Sequence, residues 1–345
     1  MLLRINIPHS VTEMGERVFE DCKSLLEVDF NPNISTIPDM TFDNCYNLEK
    51  VNIPESIESF GQGCFWYCKK LKEITIPKGL KSMNGNSLVG TNPFIGCSSL
   101  SSIIVDAQNK TYDSRNNCNA IIKTSDNVLL VGCKNTIIPK TIKEIGSGAF
   151  YWCIGLVEVD IPEGVEIIGS GAFSACINLE KVILPSTVTT IGLGAFGGEY
   201  RTNDSEEAKS MCIKSFVSNI VTPTDIDKEV FICSVMYWDE VSGQGWRTTG
   251  IEDTYNYGTL YVPYGTKEKY TTTEGWKCFK NVVEKNNGQA IKGDVNSDGK
   301  VSAADIVDLT IIIGSENNYM RGDVNGDGKV DIADIIAVCG IILAK

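Results

Sequence analysis

Apolar positions recur along the chain with a period of 23 residues. Phe19, Phe42 and Phe65 are separated by this step, and Cys and Leu positions follow in the same phase. The clearest copy is the run IPEGVEIIGSGAFSACINLEKVILP, residues 161–185. A repeat of this length is typical of arrays in which each copy buries its apolar face only against its neighbours. The sequence therefore predicts an α/β solenoid of stacked coils.

The pattern within one copy predicts the path of a coil. Val182 and Leu184 place alternate apolar side chains on one face of a short strand, which Pro185 ends. A second extended stretch ends at Ile191, and we expect Gly192 to allow the turn that follows. The AFxxC segment is too short for a stable helix and predicts a helical turn that fills the coil interior. Stacked coils then form a parallel sheet.

Six cysteines occupy the same phase of the repeat. They are compatible with a buried ladder of reduced, small apolar side chains, or with disulfides between adjacent coils. One identical position per coil favours the reduced ladder, and neither arrangement is catalytic. The six are Cys22, Cys45, Cys68, Cys97, Cys153 and Cys176.

The repeat is interrupted at several places. Extra residues between Met83 and Phe94 predict a surface loop. At about 106–138 two extended runs flank a turn, which predicts a hairpin insertion that projects from the solenoid. About 197–258 is predicted to be an irregular acidic loop, and about 259–285 a C-terminal cap that closes the array.

Composition excludes several classes of function. The 345 residues carry a formal charge of −13, which argues against nucleic acid or anionic lipid as a partner. His9 is the only histidine, so most triad, Cys-His or His-rich zinc chemistry is excluded. The longest apolar run, Ile335–Ala344, is about half of the ~20 residues that a spanning helix needs. No signal peptide precedes the first repeat, and we expect the chain to be a trimmed piece or a mature form.

The repeat unit, the YDSRNNCNAII hairpin and the LYVP…EGWKCFKNVVE ending resemble the BspA-like leucine-rich-repeat surface proteins of bacteria. This resemblance covers residues 1–285 and implies a leucine-rich-repeat horseshoe of short parallel strands with few true helices. It also implies an extracellular or cell-surface binding and adhesion role without catalysis.

A different pattern begins after a short polar linker at 286–291. The segments GDVNSDGKVSAADIVDL and GDVNGDGKVDIADIIAV lie 29 residues apart, and each fits an EF-hand-like calcium loop with Asp at position twelve. Alternate residues of such a loop supply hard oxygen ligands, so two Ca²⁺ ions are predicted. The expected ligands are Asp294, Asn296, Asp298, the Lys300 carbonyl, Ser302 and Asp305, then Asp323, Asn325, Asp327, the Lys329 carbonyl, Asp331 and Asp334.

Each loop precedes an apolar segment that predicts a helix, and the two helices are expected to pack together. Residues 292–345 contain nine acidic and five basic residues, net −4, which two Ca²⁺ would offset. Without metal the carboxylates repel, so we expect calcium binding to be coupled to folding. The packing faces are predicted to be Ile306, Leu309, Ile313 and Ile335, Val338, Ile342.

The duplicated loop-helix unit at 292–345 resembles a type I dockerin, a small all-α module that docks its host protein onto a cohesin domain. In that family, positions ten and eleven of the loops often carry Ser-Thr recognition pairs. Here Ala303-Ala304 and Ile332-Ala333 stand there, and these four residues are the expected partner-binding positions. The resemblance implies a cohesin-type partner with a more apolar interface, or a dockerin-like module with another partner.

Two coils carry aromatic pairs where the others hold small or polar residues. Trp66-Tyr67 and Tyr151-Trp152 could form a platform for sugar rings or a protein partner. Alternatively, they pack beneath the 83–94 loop and the hairpin.

Two functions from different classes remain open. One is a non-enzymatic extracellular protein that binds a protein or glycan ligand through the solenoid and a cohesin-type partner through its dockerin-like module. The other is an accessory component or enzyme of polysaccharide degradation assembled through the dockerin, since retaining glycosidases need only two carboxylates. Stacking accounts for nearly all of the solenoid and leaves too few residues for a hydrolase domain, which favours the first.

Overall fold

The computed structural model describes residues 3–85, 91–202, 212–239, 245–249, 254–285, 293–295, 301–314, 322–326 and 329–344. Short strands dominate this part of the chain, and its four α-helices are short. The helices are α1 (Thr254–Tyr257), α2 (Lys267–Thr272), α3 (Ala303–Gly314) and α4 (Ile332–Leu343). No helix in the described ranges is both long and apolar enough to cross a membrane.

The strands follow the repeat through the first two hundred residues. They are β1 (Arg4–Asn6), β2 (Glu27–Asp29), β3 (Thr36–Ile37), β4 (Lys50–Asn52), β5 (Ser59–Phe60), β6 (Glu73–Ile76), β7 (Ser82–Met83), β8 (Ser102–Val105), β9 (Tyr112–Asp113), β10 (Ala120–Lys123), β11 (Val128–Gly132), β12 (Glu144–Ile145), β13 (Glu158–Asp160), β14 (Ile167–Ile168), β15 (Lys181–Leu184) and β16 (Thr190–Ile191). The later strands are β17 (Gly198–Thr202), β18 (Ser215–Ser218), β19 (Cys233–Asp239), β20 (Gly245–Thr249), β21 (Thr259–Val262) and β22 (Asn281–Glu284).

A regular repeat contributes two strands, and each can pair in parallel with the equivalent strand of the next coil, as β13 does with β15 and β14 with β16. Glu158 lies opposite Lys181 in the first strand column, and Ile167 lies opposite Thr190 in the second. Both pairs are one repeat apart, so sequence period and spatial register coincide. The predicted solenoid of short parallel strands is confirmed.

A ladder of phenylalanine rings fills the interior of the coils. Adjacent rings stack almost in parallel, as in Phe42–Phe65 at 5.4 Å between centroids and Phe150–Phe173 at 4.9 Å. The ladder has two runs. They are Phe19–Phe42–Phe65–Phe94 and Phe150–Phe173–Phe196–Phe231.

The cysteines at the repeat phase are free thiols. The Cys176 Sγ donates to the Phe150 carbonyl at 3.0 Å, and the Cys45 Sγ donates to the Phe19 carbonyl at 3.1 Å. Each thiol thus binds the backbone of the preceding coil. Burial raises the pKa of Cys45 and of Cys176 to about 12, which keeps the donor protonated. The structure therefore has the reduced ladder, and the inter-coil hydrogen bond explains why the FxxC spacing recurs.

The expected role of Gly192 is wrong. A Cβ on Gly192 would lie 2.4 Å from the Ser170 backbone nitrogen, so this glycine is required by the close approach of two coils. The turn is made two residues later, where Gly194 has φ +62° and Gly171 has the same role at φ +61° in the preceding coil.

The predicted hairpin exists, but it does not project. Strand β10 pairs antiparallel with β11, and β11 pairs parallel with β12, so the hairpin is built into the second strand column. Ile121 packs in the N-terminal apolar core and Ile122 packs in the C-terminal one, and both are fully buried. The hairpin therefore separates two cores. A strand buried on both faces is continuously apolar, and Ala120, Ile121 and Ile122 of β10 form such a run.

The prediction of an irregular loop at 197–258 is also wrong. Within it, β17, β19 and β20 form a three-stranded sheet, and β18 continues the first strand column between β15 and β21. Residues 203–211, 240–244 and 250–253 of this stretch lie outside the described residues. Because these residues are polar, the sequence pattern did not indicate the regular strands on either side of them.

Candidate calcium loops and binding surfaces

The first loop of the C-terminal module is closed by a buried carboxylate. Asp305, on the first turn of α3, has no exposed surface. Its carboxylate accepts hydrogen bonds from the backbone N–H groups of Val295 and Ser302, both at 2.8 Å. The Ser302 Oγ in turn accepts a hydrogen bond from the Ala304 N–H at 3.2 Å. Position twelve is thereby held beside the start of the loop.

The second loop repeats this arrangement. Asp334 is fully buried and accepts hydrogen bonds from the N–H groups of Val324 at 2.8 Å, Asn325 at 3.0 Å and Asp331 at 2.9 Å. The Asp331 carboxylate accepts from the Ala333 N–H at 2.8 Å, which completes a capping box at the start of α4. The two ends of the loop therefore meet at the Asp334 carboxylate.

The residues present fit a calcium ion. Hard cations take carboxylate, carbonyl and hydroxyl oxygens, which are the donors that this loop pattern supplies. A carboxylate has about four lone-pair sites, so the N–H bonds to Asp305 and Asp334 are compatible with coordination of a cation. The structure brings Asp323 and Asp334 to one end of the second loop, because the Val324 N–H binds Asp334. Four predicted ligands lie outside the described residues. They are Asn296, Asp298, Lys300 and Asp327.

An apolar cluster of its own supports the two loops. Leu309 on α3 and Val338 on α4 are fully buried at its centre. Ile306, Ile313, Ile335 and Ile342 pack against it, as the apolar pattern predicts. No residue of this cluster belongs to the two solenoid cores, within the described part of the chain.

The expected partner-binding positions are exposed, and they are part of larger apolar faces. Ala303, Ala304 and Ala333 are exposed, and Ile332 is 68% exposed. The sequence predicts only these four partner-binding positions. The structure adds two exposed residues on α3 and two on α4, at one-turn and two-turn spacings. They are Val307 (57%), Ile311 (58%), Ile336 (67%) and Leu343 (85%).

The structure ties one residue of the aromatic pairs to the insertion loop and brings two others into contact with each other. The Trp66 indole N–H donates to the carbonyl of Asn92 at 3.1 Å, so this ring is tied to the insertion loop. Tyr67 and Trp152 come from coils 85 residues apart, yet their ring centroids lie 5.4 Å apart at 87°. Gly96 permits the contact, since a Cβ there would lie 2.4 Å from the Tyr67 ring. All four aromatic side chains, including Tyr151, are half-buried.

These features define a leucine-rich-repeat solenoid joined to a module of two loop-helix units whose loops fit calcium. A profile of the BspA type leucine rich repeat region matches residues 1–121 and 130–234 in six copies, and the chain belongs to this family. A profile of the dockerin type I domain matches residues 292–343. Proteins with BspA-type repeats are typically secreted or held at the cell surface, and type I dockerins in general bind calcium and cohesins. Neither kind of domain is catalytic.

Several solved structures resemble the chain. A leucine-rich repeat protein from Eubacterium ventriosum is 18% identical, with a TM-score of 0.47, and the match covers 67% of this chain and 71% of that one. The pneumococcal vaccine antigen PcpA is 18% identical, with a TM-score of 0.45 and coverage of 82% and 79%. A leucine rich cell surface protein from Faecalibacterium prausnitzii is 20% identical, with a TM-score of 0.42 and coverage of 86% and 82%. A search of curated proteins found no match.

Proposed function

We propose that this chain is a non-enzymatic extracellular binding protein with two independent attachments. The solenoid, residues 1–285, binds a protein or glycan ligand at the bacterial surface or outside the cell. The C-terminal module, residues 292–345 after the 286–291 linker, docks onto a cohesin-type partner when it holds calcium.

The main support for this proposal is that a buried carboxylate closes each of the two candidate calcium loops in the same way. Asp305 and Asp334 are fully buried at equivalent positions, and each accepts the N–H at position two of its own loop. Burying a carboxylate is costly unless it is hydrogen-bonded or bound to a cation. The same carboxylate burial occurs in both loops of a module with net charge −4. It supports one Ca²⁺ ion in each loop, held by the six predicted ligands of that loop. When bound, each ion neutralises clustered carboxylates and fixes the loop ahead of its helix.

The exposed apolar faces of α3 and α4 supply the docking surface. Ile332 and Ile336 on α4 carry more exposed aliphatic carbon than Ala303 and Val307, their counterparts 29 residues earlier. An apolar interface of this kind replaces the Ser-Thr recognition pairs of other dockerins, and it favours a partner with an apolar groove.

On the solenoid, the Tyr67–Trp152 pair is the proposed ligand contact. Half-buried aromatic rings in edge-to-face contact are rigid and amphipathic, which suits stacking against a sugar ring or a protein side chain. Tyr151 and Trp66 flank this pair in the same two turns, with Trp66 anchored to Asn92.

The docking proposal is tested by binding the full chain to a panel of immobilised type I cohesin domains, with calcium and with a chelator. We expect binding only with calcium, and Asp334→Asn should weaken calcium affinity by about tenfold or more, because it removes a ligand charge. Asp308→Asn on α3 is the matched control, since it removes one charge outside both loops. Equal calcium affinity for the two variants would contradict the ligand assignment.

The ligand proposal is tested by binding the full chain to polysaccharides and to host matrix proteins. We expect Trp152→Ala to reduce binding to whichever of them the wild type retains. The same polysaccharides are assayed for hydrolysis. Release of reducing sugar would overturn the non-enzymatic assignment and favour a role as an enzyme of polysaccharide degradation.

A further inference from the structure

A chemically labile dipeptide lies in the second candidate calcium loop. Asn325, at position three, is followed by Gly326, and both residues are exposed. An asparagine before a glycine is prone to spontaneous deamidation, because glycine has no side chain that would hinder the approach of its backbone nitrogen to the asparagine carboxamide. The corresponding pair of the first loop is Asn296-Ser297, whose second residue carries a side chain. The two loops therefore differ in chemical stability at this position.

The folded loop holds this dipeptide by two backbone hydrogen bonds. The Asn325 N–H donates to the Asp334 carboxylate at 3.0 Å, and the Gly326 N–H donates to the Asp323 carboxylate at 2.7 Å. These two carboxylates stand at positions twelve and one, and both are expected calcium ligands. For deamidation the Gly326 nitrogen must leave Asp323 and turn towards the Asn325 side chain, so the two hydrogen bonds oppose the reaction.

Bound calcium would strengthen this protection. The ion would attract both carboxylates and the side-chain oxygen of Asn325, so the reacting groups would be fixed apart from each other. Without metal, the clustered carboxylates repel, and the loop is expected to open with the rest of the module. Surrounding atoms do not prevent this rearrangement, because a Cβ placed on Gly326 would have none of them within 4 Å.

We propose that Asn325 is a spontaneous deamidation site that calcium protects. In the metal-free loop, the Gly326 nitrogen attacks the Asn325 Cγ, and the new N–Cγ bond replaces the Cγ–Nδ2 bond. The side-chain NH2 group leaves as ammonia with the proton of the Gly326 N–H, and a succinimide ring remains. Water then opens the ring, adding its hydroxyl to one carbonyl carbon and its hydrogen to the ring nitrogen. Opening at Cγ gives aspartate, and opening at the main-chain carbonyl carbon gives isoaspartate.

The two products have different consequences for the loop. Aspartate keeps an oxygen ligand at position three and adds a negative charge, so calcium binding persists. Isoaspartate routes the main chain through the former side chain and inserts one carbon atom before Gly326. The hydrogen bonds to Asp323 and Asp334 then lose their register, and the loop no longer closes on an ion. Loss of calcium thereby becomes irreversible for the isoaspartate fraction.

The test incubates the full chain with calcium or with a chelator, and mass spectrometry follows the peptide that contains position 325. When calcium exceeds its Kd about a hundredfold, the unfolded population of the module falls by about the same factor. We therefore expect deamidation of Asn325 to be about tenfold or more faster in chelator than with calcium. Asn84-Gly85, an exposed pair of the solenoid, is the internal control, and its rate should be the same in both solutions.

Gly326→Ser is the matched variant, because it gives the second loop the Asn-Ser pair of the first. In chelator it should lower the rate at Asn325 to that of Asn296 in the same sample. This comparison does not depend on whether the variant folds, since the reaction occurs in the open loop. When calcium is restored to the wild type after incubation in chelator, the fraction of chains that rebind calcium in the second loop should fall by the isoaspartate fraction.

This inference rests on the proposed calcium binding of the second loop, and a calorimetric calcium titration separates the two failures. If calcium binds and Asn325 deamidates equally fast with and without it, this inference is overturned and the proposed function stands. The inference is also overturned if Asn84 shows the same response to calcium, or if isoaspartate chains rebind calcium like unmodified ones. If the fresh protein binds no calcium, both proposals are overturned together.

Discussion

The cysteine ladder can be tested by replacing one thiol, and Cys176 is the most informative position. Its side chain has no exposed surface, and its Sγ lies 3.0 Å from the Phe150 carbonyl oxygen in the preceding coil. The same carbonyl also accepts a hydrogen bond from the Cys153 N–H at 3.0 Å. Removing the thiol therefore leaves that carbonyl with a donor, and the main loss is the packing of the sulfur.

The expected magnitudes follow from this geometry. A hydroxyl buried without a partner costs about 1–3 kcal/mol, and a hydrogen bond to the Phe150 carbonyl returns about 0.5–1.5 kcal/mol. Cys176→Ser should therefore lower the free energy of unfolding by about 1 kcal/mol. Cys176→Ala loses about 0.8 kcal/mol of transfer free energy for one heavy group and adds a cavity term, about 1–2 kcal/mol in all.

Urea unfolding followed by tryptophan fluorescence measures these changes, with and without a reducing agent. Cys278→Ser is the control, because Cys278 is exposed in the closing segment and its replacement should change stability by less than about 0.5 kcal/mol. A reducing agent that destabilises the wild type would refute the reduced ladder. So would mass spectrometry of unreduced peptides that shows oxidised sulfurs. Wild-type stability in both Cys176 variants would refute the packing argument.

Three further predictions concern the C-terminal module and the first coils. Chelation of calcium should remove the thermal transition of residues 292–345 and leave that of the solenoid unchanged in calorimetry, because their apolar clusters share none of the described residues. Ile332→Asp should weaken partner binding by one to two orders of magnitude more than Ala303→Asp in a titration, with calcium affinity unchanged, since a buried isoleucine contributes about 1.5–3 kcal/mol. Burial raises the pKa of Asp43 from 3.8 to about 6. The folded state thus binds this proton more tightly than the unfolded chain, so stability falls as pH rises from about 4 to about 6, and Asp43→Asn should reduce that fall in pH-dependent urea unfolding.

The repetitive part of the fold was predictable because identical positions recur at one spacing. A step of 23 residues sets the phase of Phe42 and Phe65, and the same step separates paired residues such as Glu158 and Lys181. Stacking then determines which side chains are buried. The inter-coil thiol hydrogen bond was not predictable, because it depends on where the preceding carbonyl points.

The irregular parts were mispredicted for two physical reasons. The hairpin was expected to project because the sequence does not show that β10 is buried on both faces, with Ile121 in one core and Ile122 in the other. In 197–258, polar residues flank strands whose pairing is set by coils far away in sequence, as β18 shows by joining β15 to β21. Local pattern carries no information about such partners.

The calcium loops were predictable as a pattern of oxygen donors, whereas their supporting bonds were not. The sequence shows that Asp305 and Asp334 are acidic. It does not show that both are fully buried or that they accept hydrogen bonds from the N–H groups of Val295 and Val324, because these features exist only in the folded loop. The exposed faces of α3 and α4 were underestimated, since an apolar helix residue such as Ile336 cannot be assigned to core or surface in a module with so little core.

Separate apolar clusters determine how the two proposed binding activities would combine. The cluster around Leu309 and Val338 shares no described residue with the cores that contain Phe42 and Phe173, so calcium-driven folding of the module need not alter the solenoid surfaces. Coupling between the two ligands then comes from the covalent chain rather than from a conformational change. Under the proposed function, a ligand held by the solenoid would raise the effective concentration of the docking module near a partner on the same surface, and removal of calcium would release that partner alone.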